Sequence, residues 1–403
     1  MPIHDCDVLV VGAGPVGATF ALALAQAPAA AQLRIVLVES QPAPALADTP
    51  VLEPRALALS PRSRRLLERV GAWTAELAAR ACPYQTMAVW DRSTSGEVHF
   101  DSAEIHRPEL GHILGQPALV AALTAAVRAQ PNIALRCPAT VTAIERLAGG
   151  GCGVRLGDEL VRTALLVAAD GPDSPVREHF DIATRRWDPE QQALIAVLRT
   201  ERVHGHCARQ WFAPGGPLAF LPLAGDHHQV AIVWSQDRAA AERLQGLDAE
   251  ALAGELEIAS EGALGAIALA GPHRWIPLRQ HHADRYVLPG VALLGDAAHV
   301  VHPLAGQGVN LGLADAEVLA AELAAGLEGG LDIADPAALT RYQRARRPEN
   351  LAMLAAMRGF KTLFGDARLP VALLRAAGMT AFERLAPLKQ LVMAAAAGER
   401  WMP

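Results

Sequence analysis

Short apolar runs that end at glycine-rich or acidic loops are the main pattern along this chain. Residues 7–11 form a continuous apolar run typical of a buried parallel strand, and an alanine- and leucine-rich helical pattern follows to about Gln26. Residues 35–38 read as the next strand, and Glu39 comes directly after it. This order of strand, helix and strand predicts a βαβ unit at the start of a Rossmann-like α/β domain.

Later segments repeat the pattern and then depart from it. Residues 119–129 predict a helix, and residues 139–144 and 164–169 predict strands. Between about 182 and 285, short β-like runs alternate with Gly/Pro turns, which predicts an inserted, mostly antiparallel sheet. Residues 84–100 are expected to add a strand pair to it. From residue 310 the chain is helical, with a break near Gly329, Gly330 and Pro336.

The first glycine loop has the dinucleotide-binding spacing. Gly12 allows a tight turn from strand to helix, Gly14 lets the backbone approach a pyrophosphate, and Gly17 lets the helix pack against the sheet. The phosphates are then expected at the positive helix N-terminus. Glu39 follows the second strand, where a carboxylate can accept hydrogen bonds from ribose hydroxyls.

Two more loops follow buried strands. Asp170 and Gly171 come after the strand at 164–169, and Asp296 lies in the segment LLGDAAH at 293–299. An Asp at such a strand end can accept hydrogen bonds from a ribityl chain, and the next helix can present its N-terminus to a flavin ring. Two distant loops that can hold opposite ends of one long cofactor predict FAD.

Composition narrows the class of protein further. The length of 403 residues predicts two or three domains, and the net charge of −6 argues against nucleic-acid binding. The cysteine count is odd, at five, and no CxxC occurs, so a reduced, cytoplasmic compartment fits best. No apolar run is long enough to span a bilayer, and the N-terminus is not expected to be a signal peptide.

Several polar and aromatic residues allow two interpretations. His299 and His302 have the spacing of metal ligands on a helix, but structural hydrogen bonding is the preferred interpretation. The pairs at 227–228 and 281–282 read as solvated turn histidines. Two further sets each have two open interpretations. The aromatic set lines a ring-binding pocket or takes part in ordinary packing. The basic set is a solvated face or contacts anionic lipid or a partner protein. These sets are Trp211, Phe212, Phe220 and Trp234, and Arg341, Arg344, Arg346 and Arg347.

With these motifs in place, the chain resembles the FAD-dependent aromatic hydroxylases related to p-hydroxybenzoate hydroxylase, and within them the ubiquinone-biosynthesis hydroxylase family. The resemblance covers nearly the whole length. Besides the first glycine loop and LLGDAAH, it is carried by PRALALS at 54–60, MAVWD at 87–91, ADG at 169–171 with Ser174 and Arg177, GPLAFLPL at 216–223 and HPLAGQGVNLG at 302–312. The chain departs from the family at Gly115–Gln116, where Glu-Asn is frequent, and at Gly290, where Arg is frequent.

The resemblance implies the domain layout. An FAD-binding domain is expected at 1–82, 101–181 and 286–330, a substrate-binding β-sheet domain at 83–100 and 182–285, and a C-terminal helical region at 331–403. It also implies roles for individual residues in binding FAD: the pyrophosphate, adenosine ribose, adenine, ribityl chain and ring. The implied cofactor-binding residues are Gly12, Gly14, Gly17, Glu39, Arg55, Gln116, Val141, Asp170, Asp296, Pro303, Gly306, Gln307, Gly308, Val309 and Asn310.

The implied activity is hydroxylation of the aromatic ring of a polyprenylated phenol in ubiquinone biosynthesis. The resemblance implies NAD(P)H as a transient reductant, O2 as co-substrate and a flavin C4a-hydroperoxide as the hydroxylating species. Two alternatives stay open: a flavin-dependent reductase or dehydrogenase acting on an isoprenoid, and a non-catalytic flavoprotein scaffold of a quinone-biosynthesis assembly. No catalytic acid or base is identified. Contact with the inner membrane or with such an assembly, and oligomer formation, also stay open.

Overall fold

The computed structural model of the chain describes residues 5–44, 54–148, 150–302, 308–366 and 368–398. The strands of this part are β1 (Cys6–Val11), β2 (Ile35–Val38), β3 (Ala56–Leu59), β4 (Cys82–Tyr84), β5 (Thr86–Asp91), β6 (Glu97–Asp101), β7 (Gly111–Gly115), β8 (Ile133–Arg136), β9 (Val141–Arg146), β10 (Cys152–Leu156), β11 (Glu159–Ala168), β12 (Thr184–Trp187), β13 (Gln191–Thr200), β14 (Cys207–Phe212), β15 (Leu218–Pro222), β16 (Gln229–Asp237), β17 (Ile267–Leu269), β18 (Arg274–Pro277), β19 (Gln280–Ala283), β20 (Val287–Leu288), β21 (Val291–Leu293) and β22 (His299–Val300). Its α-helices are α1 (Pro15–Ala25), α2 (Pro61–Arg69), α3 (Ala75–Ala79), α4 (Gln116–Ala129), α5 (Pro175–His179), α6 (Arg238–Gln245), α7 (Ala249–Ala259), α8 (Gly308–Glu328), α9 (Pro336–Gly365), α10 (Leu369–Arg384) and α11 (Ala386–Ala396).

The first sheet is built around β1 and has the order β20–β21–β11–β1–β2–β8. Pairing is parallel from β21 through β8, while β20 and the hairpin of β9 and β10 add antiparallel strands. Val10, at the centre, lies between Leu37 and Val167. Helices cover both faces of a parallel sheet, which explains why its strands are continuous apolar runs rather than alternating ones. The expected Rossmann-like α/β fold is confirmed.

The second sheet has the order β17–β13–β16–β15–β14–β5–β6, with β18 also paired to β13. Its pairs are antiparallel except for β14 and β5, which run parallel. Thus β5 and β6, from early in the chain, join strands that lie about a hundred residues later. Two three-stranded sheets, β12–β19–β22 and β3–β7–β4, complete the described strands. The limits of the expected domains remain a proposal.

One face of the second sheet packs on α6 and α7. Trp211, Phe220 and Trp234 are buried on this face together with Leu194 and Leu256, so the packing interpretation holds for these three aromatic residues. Phe212 follows Trp211 in β14 and lies on the opposite face, as the period of two in a strand requires. There it packs with side chains of α9 and α10.

The C-terminal helices follow the predicted pattern. The expected break separates α8 from α9, and Pro336 begins α9, where its fixed φ suits the first helical turn. The guanidinium of Arg375 in α10 donates to both oxygens of Asp91 at the end of β5, at 2.6 and 3.2 Å, and both side chains are buried. This ion pair anchors α10 to the second sheet.

Candidate cofactor and active site

A groove lies at the carboxyl ends of β1 and β2, where open α/β sheets bind their ligands. It encloses a cavity of roughly 200 Å³. The walls come from the first glycine loop, the end of β2 and the start of α4, three segments that are far apart in the chain. The lining residues are Ala13, Gly14, Glu39, Gln41, Pro42, Ala43, Pro44, Gln116, Val120, Thr124, Leu135 and Cys137.

The three glycines of the first loop occupy different environments. Gly12 has a φ of +99°, and a side chain there would overlap the carbonyl oxygen of Ala169. A Cβ on Gly17 would likewise overlap the carbonyl of Gly12, which explains the close approach of α1. Gly14 differs, because apart from its chain neighbours no atom of the described residues lies within 4 Å of the position its Cβ would take. Two glycines therefore serve the fold, while Gly14 leaves the groove open.

Glu39 joins the two sides of the groove. Its carboxylate accepts a hydrogen bond from the backbone N–H of Ala13 at 2.9 Å and another from the N–H of Gln41 at 2.9 Å. The carbonyl of Glu39 accepts from the N–H of Ala139 at 2.7 Å, so the chain leading into Val141 lies beside it. The residues expected at the ribose and adenine are thus neighbours.

Arg55 and Gln116 meet at the next part of the groove. The N–H of Gln116 donates to the carbonyl of Arg55 at 2.9 Å. Burial raises the pKa of the Asp296 carboxyl, and the guanidinium of Arg55 is close enough to oppose part of that rise. The side-chain Oε1 of Gln116 is buried and has no hydrogen-bond partner among the described residues. A buried acceptor without a donor is costly, so it points to a ligand group.

Asp170 lies at the end of β11, across from the first loop. Its Oδ2 accepts from the N–H of Val176 at 3.2 Å, whereas Oδ1 is buried without a partner in the described part of the chain. Burial raises the pKa of this carboxyl, against the opposing effect of Ser174, Val176 and Arg177. This loop therefore holds a second unpartnered acceptor.

Arg177 connects the Asp170 loop to the Asp296 loop. Its Nη2 donates to the carbonyl of Pro172 and its Nη1 to the carbonyl of Ala297, both at 2.9 Å, and the residue is buried. His281 Nε2 lies 3.3 Å from the same Nη1. The sequence identified Arg177 as part of a motif but assigned it no role, because the carbonyl of Ala297 that it reaches lies 120 residues later in the chain.

The Asp296 loop is pressed against the first loop. Gly295 has a φ of +54°, and a Cβ on Gly312 would lie 2.6 Å from Cγ2 of Val16 and 3.3 Å from Cα of Gly295. Val16 belongs to the first turn of α1, so the two distant glycine-rich segments meet through this residue. Burial raises the pKa of the Asp296 carboxyl, and no described residue donates a hydrogen bond to it.

Gly308, Val309 and Asn310 form the first turn of α8. The side chain of Asn310 is committed to the protein: its Oδ1 accepts from Ser60 N–H at 2.9 Å and Ser63 Oγ at 2.7 Å, and its Nδ2 donates to the carbonyl of Ala58 at 2.9 Å. Only the backbone of this residue is left to face a ligand. Pro303, Gly306 and Gln307 lie outside the described residues.

A buried polar network under the Asp296 loop was not predicted. Asp315 in α8 accepts from the N–H of Gly295 at 3.2 Å, from His299 at 2.5 Å and from Arg346 at 2.7 Å. Asn350 donates to the same carboxylate at 3.1 Å. The solvated interpretation of the basic set is therefore wrong for Arg346, which is buried because it neutralises Asp315.

The two pairs of adjacent histidines lie in different environments. His227 and His228 lie in a turn, as expected. His281 and His282 are buried in β19, between β12 and β22, so their interpretation as solvated turn residues is wrong. His282 Nε2 lies 2.9 Å from the hydroxyl of Tyr286, and burial lowers the pKa of both histidines to about 4.

His302 connects the segment after the Asp296 loop to the second sheet. Its Nε2 lies 3.1 Å from Oε1 of Gln191, the first residue of β13, and burial lowers its pKa to about 4. Its Nδ1 is buried and has no partner among the described residues. The preferred interpretation of His299 and His302 as hydrogen-bonded structural residues agrees with these contacts.

These residues fit an extended, anionic, polyhydroxylated cofactor. An open glycine loop at a helix N-terminus suits a pyrophosphate, and the unpartnered oxygens of Gln116 and Asp170 and the free carboxylate of Asp296 suit ligand donors. The groove lies between the first glycine loop, the end of β2 and the start of α4. Fold and site together define a dinucleotide-binding flavoprotein with a second sheet beside the cofactor.

Comparison with known proteins specifies this class. Residues 5–356 match the family described as FAD binding domain. The chain belongs to this family: it binds FAD and is an FAD-dependent monooxygenase, and NAD(P)H dependence is typical of the family.

Relatives and solved structures agree with the assignment. The chain is 36% identical to ubiquinone hydroxylase UbiL of Rhodospirillum rubrum over 97% of its length and 89% of that protein. It is 35% identical to 3-demethoxyubiquinol 3-hydroxylase of Escherichia coli, over 99% of this chain and 100% of that one. PqsL of P. aeruginosa has a TM-score of 0.78 at 26% identity, over 93% and 99% of the two chains. The resemblance inferred from the sequence is confirmed.

Proposed function

We propose that the protein hydroxylates the aromatic ring of a polyprenylated phenol in ubiquinone biosynthesis, with NAD(P)H and O2 as co-substrates. The observation that carries this proposal is the near full-length similarity to two proteins named as ubiquinone and demethoxyubiquinol hydroxylases. The second sheet supports it, since the contact between His302 and Gln191 sets one face of this sheet beside the cofactor loop.

We assign the cofactor contacts as follows. Gly14 admits the FAD pyrophosphate at the start of α1, Glu39 holds the adenosine ribose, and the backbone near Val141 borders the adenine. The pyrophosphate is contacted by Gln116 and Arg55. Asp170 serves both FAD and the NAD(P)H that reduces it. Asp296 holds the ribityl chain, and the segment from Pro303 to Asn310 borders the flavin ring. The unpartnered oxygens of Gln116 and Asp170 support this assignment.

Bound FAD supplies the redox chemistry that uses electrons from NAD(P)H to activate O2. The protein residues position and shield this chemistry. Asp296 and the N-terminus of α8 would hold the cofactor, and the network of Asp315 keeps the Asp296 loop in place. Burial lowers the pKa of His302 to about 4, so its ring is neutral at physiological pH. It therefore contacts the side chain of Gln191 without adding a charge beside the site. The second sheet would shield the reacting atoms from water.

Incorporation of labelled oxygen tests the proposal. Purified holoenzyme is supplied with NAD(P)H, a polyprenylated phenol and ¹⁸O2, and the product is analysed by mass spectrometry. We expect one ¹⁸O atom in a new ring hydroxyl. Substrate-dependent oxidation of NAD(P)H without oxygen and without label would instead establish the reductase alternative, and no substrate-dependent turnover would favour the scaffold.

We also propose that the enzyme acts at the surface of the inner membrane, where such a substrate partitions. No helix in the described part of the chain is long and apolar enough to cross a membrane. Leucines are exposed on α10, on α11 and between these two helices, and they support a peripheral contact: Leu369, Leu373, Leu374, Leu385, Leu388 and Leu391. Binding to vesicles of bacterial lipids by flotation tests this location, and protein that stays at the bottom of the gradient contradicts it.

A further inference from the structure

A third apolar cluster lies between the second sheet and the C-terminal helices. We call it the seam. Its buried members are Val98, Phe212, Met357, Phe364 and Met379, and each keeps between 5% and 9% of its surface exposed. The core of the first sheet, in contrast, contains many side chains with no exposed surface. All five buried side chains of the seam thus keep some contact with solvent.

The seam continues the face of the second sheet that meets the cofactor loop. Trp211 and Leu194 lie on the face of the sheet that packs on α6 and α7. Because side chains alternate along β14 and β13, Phe212 and Gln191 lie on the other face. Both therefore belong to one face. Gln191 contacts His302 at its cofactor end, and Phe212 is part of the seam.

The middle of helix α9 contacts this face. Lys361 Nζ donates to the carbonyl of Pro189 at 3.0 Å, which places this turn of α9 beside the start of β13. Met357 and Phe364, one turn before and one turn after it, pack in the seam. The same stretch of α9 therefore lies beside both the start of β13 and the seam.

A row of aromatic rings leads from the seam to solvent. The rings of Phe212 and Phe364 are stacked with centroids 4.1 Å apart, and Phe360 follows at 6.3 Å from Phe364. Phe360 is 46% exposed, and its neighbour Leu363 is 44% exposed. The row therefore ends at an apolar surface rather than inside a closed core.

We propose that the seam is the binding site for the isoprenoid tail of the substrate, with the far end of the tail emerging at Phe360 and Leu363. The proposal rests on the function proposed above. A polyprenylated phenol has a polar head and an apolar tail, and this face has the same order, from Gln191 and His302 to Phe212 and Phe364. Methionine side chains such as Met357 are flexible and can rearrange to admit a branched hydrocarbon chain.

Photo-crosslinking of the holoenzyme locates the tail directly. The probe is a phenol whose isoprenoid tail of four units ends in a diazirine, and adducts are mapped by mass spectrometry. We expect adducts at residues 353–364 of α9 that an unlabelled polyprenylated phenol displaces. Displaceable adducts confined to α6 and α7, on the other face of the sheet, would overturn the proposal.

Steady-state kinetics with tailed and tail-less phenols provide an independent test. Phe360→Asp places a charge at the exit, and Met357→Trp fills the seam. Both are expected to raise KM for the tailed phenol by about tenfold, the effect of losing roughly 1.4 kcal/mol of apolar contact, with kcat unchanged. The KM for a tail-less phenol should stay constant. If Met357→Trp fails to fold, the test depends on Phe360→Asp alone, because Phe360 is a surface residue.

Ile258→Asp is the matched control, since Ile258 is 68% exposed on α7, at the other face of the sheet. It should leave both KM values unchanged. An equal rise for both phenols in Phe360→Asp, or no change for either, would exclude a tail site in the seam. These outcomes are distinct from failure of the proposed function, in which the unaltered holoenzyme would hydroxylate no phenol at all.

Discussion

The carboxylate of Asp315 lies 2.5 Å from Nε2 of His299, and both side chains are buried directly beneath the Asp296 loop. Burial alone would raise the pKa of Asp315, but His299 and Arg346 outweigh it and lower the pKa to about 2. The carboxylate is therefore ionised across the physiological range. Because it also accepts from the N–H of Gly295, it ties the cofactor loop to α8 and α9.

Replacing Asp315 by Asn should destabilise the protein strongly. The change leaves Arg346 buried without its main counter-charge, which costs about 3–5 kcal/mol for a buried ion pair. Urea unfolding of the apoprotein measures the effect. Glu349→Gln is the control, because Glu349 also pairs with Arg346 but is 59% exposed, so the loss should stay below about 1 kcal/mol. Equal losses in both variants would contradict the role given to Asp315.

Substitutions at two glycines of the first loop should have different effects, one on folding and the other on cofactor binding. Gly12→Ala should lower the free energy of unfolding by more than about 2 kcal/mol, because φ is +99° and the new Cβ would overlap Ala169. Gly14→Ala should change it by less than about 1 kcal/mol, since φ is −65° and the space is open, yet weaken FAD binding.

Thermal unfolding of the apoprotein and a fluorescence titration with FAD measure these two effects. Gly254→Ala in α7 serves as the control, because its Cβ position is equally open but remote from the groove. It should bind FAD normally. Full FAD affinity in Gly14→Ala would show that the pyrophosphate does not pass this residue.

Asp296→Ala should reduce FAD retention sharply. Loss of hydrogen bonds to a charged acceptor costs about 1.5–3 kcal/mol, which corresponds to roughly 10- to 100-fold weaker binding. Folding should be preserved, because no described residue depends on this carboxylate for a hydrogen bond. Flavin content after gel filtration and the dissociation constant for FAD measure the change. The exposed hairpin variant Asp158→Ala is the reference, and equal occupancy in the two proteins would refute the assignment of Asp296 to the ribityl chain.

Stability should fall as the solution is acidified below neutral pH. Burial lowers the pKa of His281, His282 and His302 to about 4 in the folded protein, against about 6.5 in an unfolded chain. Between these values the unfolded state binds protons that the folded state does not. Stability is therefore fully present above pH 6.5 and is lost as the pH falls towards 4.

Each of these histidines contributes a slope of at most about 1.4 kcal/mol per pH unit. Urea unfolding of the apoprotein at several values between pH 5 and pH 7.5 measures the total. His282→Gln should make the dependence shallower, because one titrating group is removed. A slope that this variant leaves unchanged would show that His282 does not titrate between the two states.

The sequence predicted the features that depend on local pattern. The glycine spacing at Gly12, Gly14 and Gly17 and the apolar runs of β1, β2 and β11 are local, and they located the sheet and its loops. The order of Gly329, Gly330 and Pro336 likewise located the break between α8 and α9, because these residues act within one or two turns.

Burial of polar residues could not be read in the same way. His281 and His282 look like a solvated pair in sequence, and only the pairing of β19 with β12 and β22 encloses them. Arg346 belongs to a row of arginines of which it alone meets Asp315, 31 residues away. Asn310 was expected to face the flavin, but its side chain bonds to Ser60 and Ser63, some 250 residues earlier. Such contacts depend on tertiary packing rather than on spacing.

The parallel pairing of β5 with β14 has a consequence for how the molecule can be divided. Any continuous fragment that holds the whole second sheet, from β5 to β18, must also hold β7 to β12, which belong to the other three sheets. No single cut in the polypeptide releases either sheet intact. A single crossover with a related gene anywhere between β1 and β21 therefore divides the strands of the first sheet between two parents.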